Sequence, residues 1–184
     1  MTTSFKRAAA AGFTLIELLI VVIILAIISA IAIPQFSAAT SDAQQSAADA
    51  NLAAVRNAIE LYRAQHAGNV YPGLKASSGG ADCTGVKGTG ELNTEQAFKD
   101  QLTYASNKDG QTCSIADDNF RYGPYLRQGI PVDPFGNSAD VAIQTTGANL
   151  VADAAATAKG WKFDTKSGQF ILNKAADQAP DAGN

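Results

Sequence analysis

Between Phe13 and Ile33 polar side chains almost disappear, leaving only Thr14, Glu17 and Ser29. As a helix these 21 residues span about 31 Å, the hydrocarbon thickness of a bilayer. From Gln35 to His66 the pattern changes. This stretch has no Gly or Pro, and ten of its 32 residues are Ala, the best helix former. Leu52, Val55, Ile59 and Tyr62 recur at helical spacing and predict one apolar face. Asp42, Asp49, Arg56, Glu60 and Arg63 surround it, with Arg56 and Glu60 placed as an i,i+4 pair. Gly68 as C-cap and Pro72 close the element. The pattern thus predicts one helix of about 53 residues, roughly 80 Å long, apolar over 13–33 and amphipathic over 34–66. Pro34 stands at the join, where its ring removes a helical hydrogen bond and introduces a kink.

Residues 67–173 read as a globular domain. Gly79, Gly80, Gly85, Gly88 and Gly90 mark 73–90 as a loop. Its glycines lack the spacing of a phosphate-binding loop and follow no strand. Residues 94–105 predict a short helix with Thr94 as N-cap and a stripe of Ala97, Leu102 and Tyr104 or Ala105. Strands are predicted at 139–146, 159–165 and 169–173, where Trp161, Phe163, Phe170, Ile171 and Leu172 supply β-favouring side chains. The turn Asp164–Gly168 makes the last two a hairpin. A long helix on a small antiparallel sheet is an α+β fold. Residues 174–184 are polar, with Pro180 and Gly183, and predict a flexible tail.

Composition narrows the chemistry. The chain has 184 residues, 17% charged, one His, two Cys and a net charge of −3. An acidic chain with scattered Lys and Arg predicts no nucleic-acid partner. One His and two Cys leave little material for a catalytic or metal centre, so no catalytic residue is assigned and no enzyme activity is expected. His66 near the helix end can meet the helix dipole when protonated, and has no second His or Cys nearby to share a metal.

Lys6 and Arg7 precede the apolar run, and no Lys or Arg follows until Arg56. The positive-inside bias puts the N-terminus in the cytoplasm and the remainder across the membrane. Cys83 and Cys113 then lie in an oxidising compartment, which favours a disulfide over free thiols. The bridge would close a loop of about 30 residues and contribute about 3–4 kcal/mol.

Three readings of the apolar run compete. A signal peptide would use Ala30-Ile31-Ala32 as its cleavage site, but the run is too long and holds Glu17. A plain anchor fits the length and leaves Glu17 unexplained. A carboxylate inside a membrane helix costs about 2.5–3.5 kcal/mol on insertion scales and marks a functional partner.

The string Gly12-Phe13-Thr14-Leu15-Ile16-Glu17-Leu18 resembles the processing site of type IV prepilins and type II secretion pseudopilins. The resemblance implies that a prepilin peptidase cuts after Gly12, ending a leader of residues 1–12, and methylates the new amine of Phe13. It implies that Glu17 meets the terminal amine of a neighbouring subunit, and that Pro34 is the family's helix-distorting proline. Residues 56–73, 123–137 and 160–173 resemble the major-pseudopilin branch, most clearly through Pro131-Val132-Asp133-Pro134-Phe135-Gly136-Asn137. Several members of that branch bind calcium near the terminal strands. Here Asp133, Asp140, Asp153 and Asp164 are the oxygen ligands on offer, but their spacing matches no EF-hand, and turn-shaping is the favoured role for Asp133 and Asp164. No cofactor is therefore expected, calcium being the one alternative.

The resemblance implies a pilin fold and a filament subunit made in a bacterial inner membrane, with its C-terminal domain in the periplasm. Its partners would be identical and related subunits, the prepilin peptidase, an inner-membrane assembly platform and membrane lipid. A type II secretion pseudopilus is the leading expectation and a surface type IV pilus the alternative. A rival of another class is a membrane-anchored periplasmic binding or enzymatic module, which needs a pocket of convergent polar groups.

Overall fold

The structure, a computed structural model, describes residues 13–153 and 160–174, apart from the side chain of Pro34. The expected leader with Gly12, Lys159 at the start of one predicted strand, and the tail beyond Lys174 lie outside the described residues.

Helix α1 is Leu15–Gln65, a single element that continues through position 34. The chain divides into two units at Ala43. The first contains the apolar part of α1, and every large hydrophobic from Phe13 to Phe36 is exposed there. By length and composition this stretch qualifies as a membrane span.

The second unit begins at Gln44 and holds the core. Val55, Ala58, Ile59 and Tyr62 from α1 are buried, and Leu52 packs at the edge, as the spacing predicts. The Arg56–Glu60 pair does not form. The Arg56 guanidinium donates instead to the Phe170 carbonyl from Nε (3.0 Å) and an Nη (2.8 Å), while Glu60 meets Arg63 at 3.4 Å. A part-buried carbonyl offers the guanidinium more than an exposed i,i+4 carboxylate, whose attraction water screens.

Helix α2 is Glu95–Thr103, and the Thr94 hydroxyl accepts from the Ala97 N–H at 3.2 Å as its N-cap. Its buried face is Ala97, Phe98, Asp100, Gln101 and Leu102. Phe98, absent from the predicted stripe, stands at the centre of the core against Phe163 and Phe170. The two buried polar residues organise the preceding loop. Gln101 accepts from the Gly73 N–H and donates to the carbonyls of Lys75 and Gly110. Asp100 accepts from the Ser77 hydroxyl, the Gln96 amide and the N–H groups of Thr89 and Gly90. At Gly90 any Cβ would run into the backbone of Ala97, so the loop lies on α2 only because that residue is glycine.

Strands β1 (Ala105–Ser106) and β2 (Thr112–Cys113) form an antiparallel pair that the sequence pattern did not announce. Cys113 on β2 is bonded to Cys83, their Cα atoms 5.5 Å apart. The disulfide joins the glycine-rich loop to a small cluster of Ala105, Cys113 and Phe120.

The second sheet is β3 (Val141–Gln144), β4 (Trp161–Asp164) and β5 (Phe170–Leu172), in that order. The hairpin β4–β5 is antiparallel, with Phe163 opposite Phe170. The expectation of an all-antiparallel sheet is corrected at β3, which pairs parallel to β4 with Val141 opposite Trp161. Parallel partners need a crossover of a dozen or more residues, and the long connection from Thr145 to Gly160 supplies it. The fold remains α+β with a mixed sheet.

The segment 131–137 docks on α1. Gln44 donates to the Pro134 carbonyl and Asn51 to the Val132 carbonyl, both at 3.2 Å, and the Trp161 indole N–H donates to the Pro131 carbonyl at 2.8 Å.

Candidate functional site

The helix start carries a reciprocal cap. The Thr14 N–H and hydroxyl both donate to Glu17 Oε2, at 2.9 and 2.7 Å, and the Glu17 N–H reaches the Thr14 hydroxyl oxygen at 3.3 Å. Thr-x-x-Glu at a helix start is a capping box, in which the two residues satisfy each other's orphan backbone donors. Thr14 is the capping partner that the sequence reading passed over, although its spacing from Glu17 was the available signal. Glu17 thus has a local polar partner within a wholly apolar, exposed surface. Phe13 precedes the cap and is 88% exposed.

The four acids considered for calcium are engaged separately. Asp133 shapes its own turn, its Oδ1 accepting from the Phe135 N–H at 2.9 Å and its Oδ2 from the Gly136 N–H at 2.6 Å. Asp140 lies 3.8 Å from the Lys99 ammonium. Asp153 contacts Lys162 and Asn173. Asp164 is buried and accepts from the Thr146 N–H and hydroxyl and the N–H groups of Gly147, Lys166 and Ser167. Burial alone would raise its pKa, but hydrogen bonds led by the Ser167, Gly147 and Lys166 amides overcome this and hold it at about 2. Among the described residues, no three His, Cys, Asp or Glu side chains come together as metal ligands.

His66 is buried rather than poised on the helix dipole. It stacks on Tyr62 with ring centroids 3.7 Å apart. Its Nδ1 lies 2.8 Å from the Tyr62 carbonyl, which can only accept, so Nδ1 carries the proton and Nε2 faces the Ser106 hydroxyl at 3.0 Å. Burial lowers its pKa from the ordinary value.

A cleft of about 390 Å³ beside β5 is lined by Arg56, Glu60, Leu150, Gly168, Gln169, Phe170 and Ile171. Its polar groups face the protein itself: Arg56 holds the Phe170 carbonyl, and Gln169 bonds Asn149 and the Leu150 N–H.

Residues 7–33 match the family model of the prokaryotic N-terminal methylation motif. The chain is 27% identical to the type II secretion system core protein G of Vibrio cholerae, over 68% of this chain and 66% of that protein. It is 49% identical to the type IV narrow pilus major component of Thermus thermophilus over 32% of this chain and 51% of that protein. The chain thus spans just under two thirds of the first and about half of the second. With the fimbrial protein of Neisseria meningitidis it shares 32% identity over 90% of this chain and 95% of that protein. No solved structure matches the chain. A methylation motif at the helix start, followed by likeness along nearly the whole length of a fimbrial subunit, leads to one assignment: the chain belongs to the type IV pilin-like family.

Proposed function

We propose that the chain is a structural subunit of a pilus-like filament, of the type II secretion pseudopilus kind, with no catalytic role of its own. The observation that carries this reading is the apolar part of α1, whose large hydrophobics from Leu15 to Phe36 are all exposed and which is broken early by Glu17. Such a surface requires lipid while the subunit is stored and other apolar helices once it leaves the membrane. A prepilin peptidase would cut after Gly12 and methylate the Phe13 amine. The precursor would sit in the bacterial inner membrane with its N-terminus cytoplasmic and its folded domain periplasmic, and an assembly platform would draw it into the filament.

Glu17 supplies register. The Thr14 cap partly satisfies the carboxylate in a single subunit, and among the described residues no ion pair to it is formed. A neighbour's terminal amine brings the missing positive charge, and a subunit docked out of register would leave the acid unpaired in an apolar bundle. Glu17→Val should therefore be processed normally and fail to assemble. Normal fibres from this variant would refute the register role.

A second reading, a surface type IV pilus, is favoured by the coverage of the meningococcal fimbrial protein. Deletion of the gene separates the two. Loss of protein export with surface fibres intact supports the pseudopilus, and loss of surface fibres with export intact supports the pilus.

A further inference from the structure

Strand β4 alternates. Trp161 and Phe163 enter the core, and Lys162 and Asp164 point to the opposite face. Lys162 is only 4% exposed. A buried ammonium is strongly unfavourable unless its protons find acceptors. Here Nζ donates to the Val151 carbonyl at 2.8 Å and to Asp153 Oδ1 at 2.6 Å. The other carboxylate oxygen of Asp153 accepts from the Asn173 amide at 3.0 Å, and the Asp153 N–H donates to Asn173 Oδ1 at 2.8 Å. Asn173 is itself anchored, its N–H donating to the Gly160 carbonyl at 3.0 Å. At the other end of the same segment the Leu150 N–H donates to Gln169 Oε1 at 2.8 Å.

Residues 150–153 are therefore strapped across the β4–β5 hairpin, with a carbonyl and a carboxylate converging on one cation. That pairing of hard oxygens is what a calcium ion gathers, but calcium needs six to eight of them, and here the acceptors already surround an ammonium. We propose that the Lys162 ammonium is a built-in cation that clamps residues 150–153 to the sheet, so that the order of this loop is independent of calcium. Because the cation is covalently part of β4, the clamp has no ligand-free state. Consistent with a permanent cation, the hydrogen bond from Lys162, followed by that from Asn173, lowers the pKa of Asp153.

The test is amide hydrogen exchange on the full chain in detergent, with about 1 mM calcium chloride or with EGTA, the range in which extracellular calcium modules bind. The wild type should show the same exchange at residues 150–153 in both. Lys162→Met should speed exchange there about tenfold or more, while amides of the β4–β5 ladder stay protected, and Lys162→Arg should restore most of the protection. Slower exchange at 150–153 in the wild type on adding calcium would overturn the proposal, as would a Lys162→Met protein that exchanges like the wild type. The wild-type comparison decides the matter even if Lys162→Met fails to fold.

Discussion

Glu17 and Asp164 are carboxylates in opposite circumstances. Asp164 collects five donors from two turns and stays charged while buried. Its folded pKa lies below that of the unfolded chain, so the stability it contributes is complete above pH about 4 and is lost as pH falls towards 2. Asp164→Asn keeps one acceptor oxygen and sets an amide against backbone N–H groups, and should cost about 2–3 kcal/mol in denaturant titrations at neutral pH. The same variant should flatten stability below pH 4. Glu17 has only the capping box of Thr14 to satisfy it locally. Thr14→Val removes the hydroxyl that both donates to Glu17 and accepts from its N–H, and should fray the first turn at a cost of about 1 kcal/mol, seen as faster exchange of the Glu17 and Leu18 amides. His66 adds a third titration. Buried and neutral, it favours the fold above its unfolded pKa of 6.5 and opposes it increasingly as pH falls below that value. Thermal melts from pH 7.5 to 5 should lose stability, and His66→Gln should lose less over that interval.

At the scale of elements, α2 does more than its nine residues suggest. It brings Phe98 to the Phe163–Phe170 stack and holds the glycine-rich loop through Asp100 and Gln101. Phe98→Ala should destabilise the domain by about 3–5 kcal/mol, because a rigid aromatic core cannot collapse onto the vacancy. The disulfide fixes the far side of the same loop, and its reduction should cost about 3 kcal/mol, measured as a shift of the denaturant midpoint with and without reductant. These elements also mark what the sequence made legible. The face of Val55, Ile59 and Tyr62 was readable because they continue the helical spacing from Leu52 inside a long run free of Gly and Pro. Phe98 was lost because nine residues give too few repeats to separate a stripe from chance. The direction of β3 was unreadable in principle, since period-two alternation is the same in parallel and antiparallel strands. Lys162 was not singled out in the sequence, because its burial comes only from the return of residues 150–153 over the sheet. Thr14 and Glu17 formed a legible motif, obscured by the surrounding apolar run.

For the whole molecule, one unit carries a conventional core, whereas the other displays apolar side chains with no covering from this chain among the described residues. A hydrophobic rod of that kind cannot persist in water, and its start lies within the match to the methylation motif. On the proposed reading, mature copies begin at Phe13 and stack through these rods. The mass of the N-terminal peptide from filaments sheared off cells and sedimented decides whether they do. The expected peptide starts at Phe13 and carries one added methyl group. A chain confined to the membrane fraction that keeps Met1, or one that begins at Ile33, would contradict it.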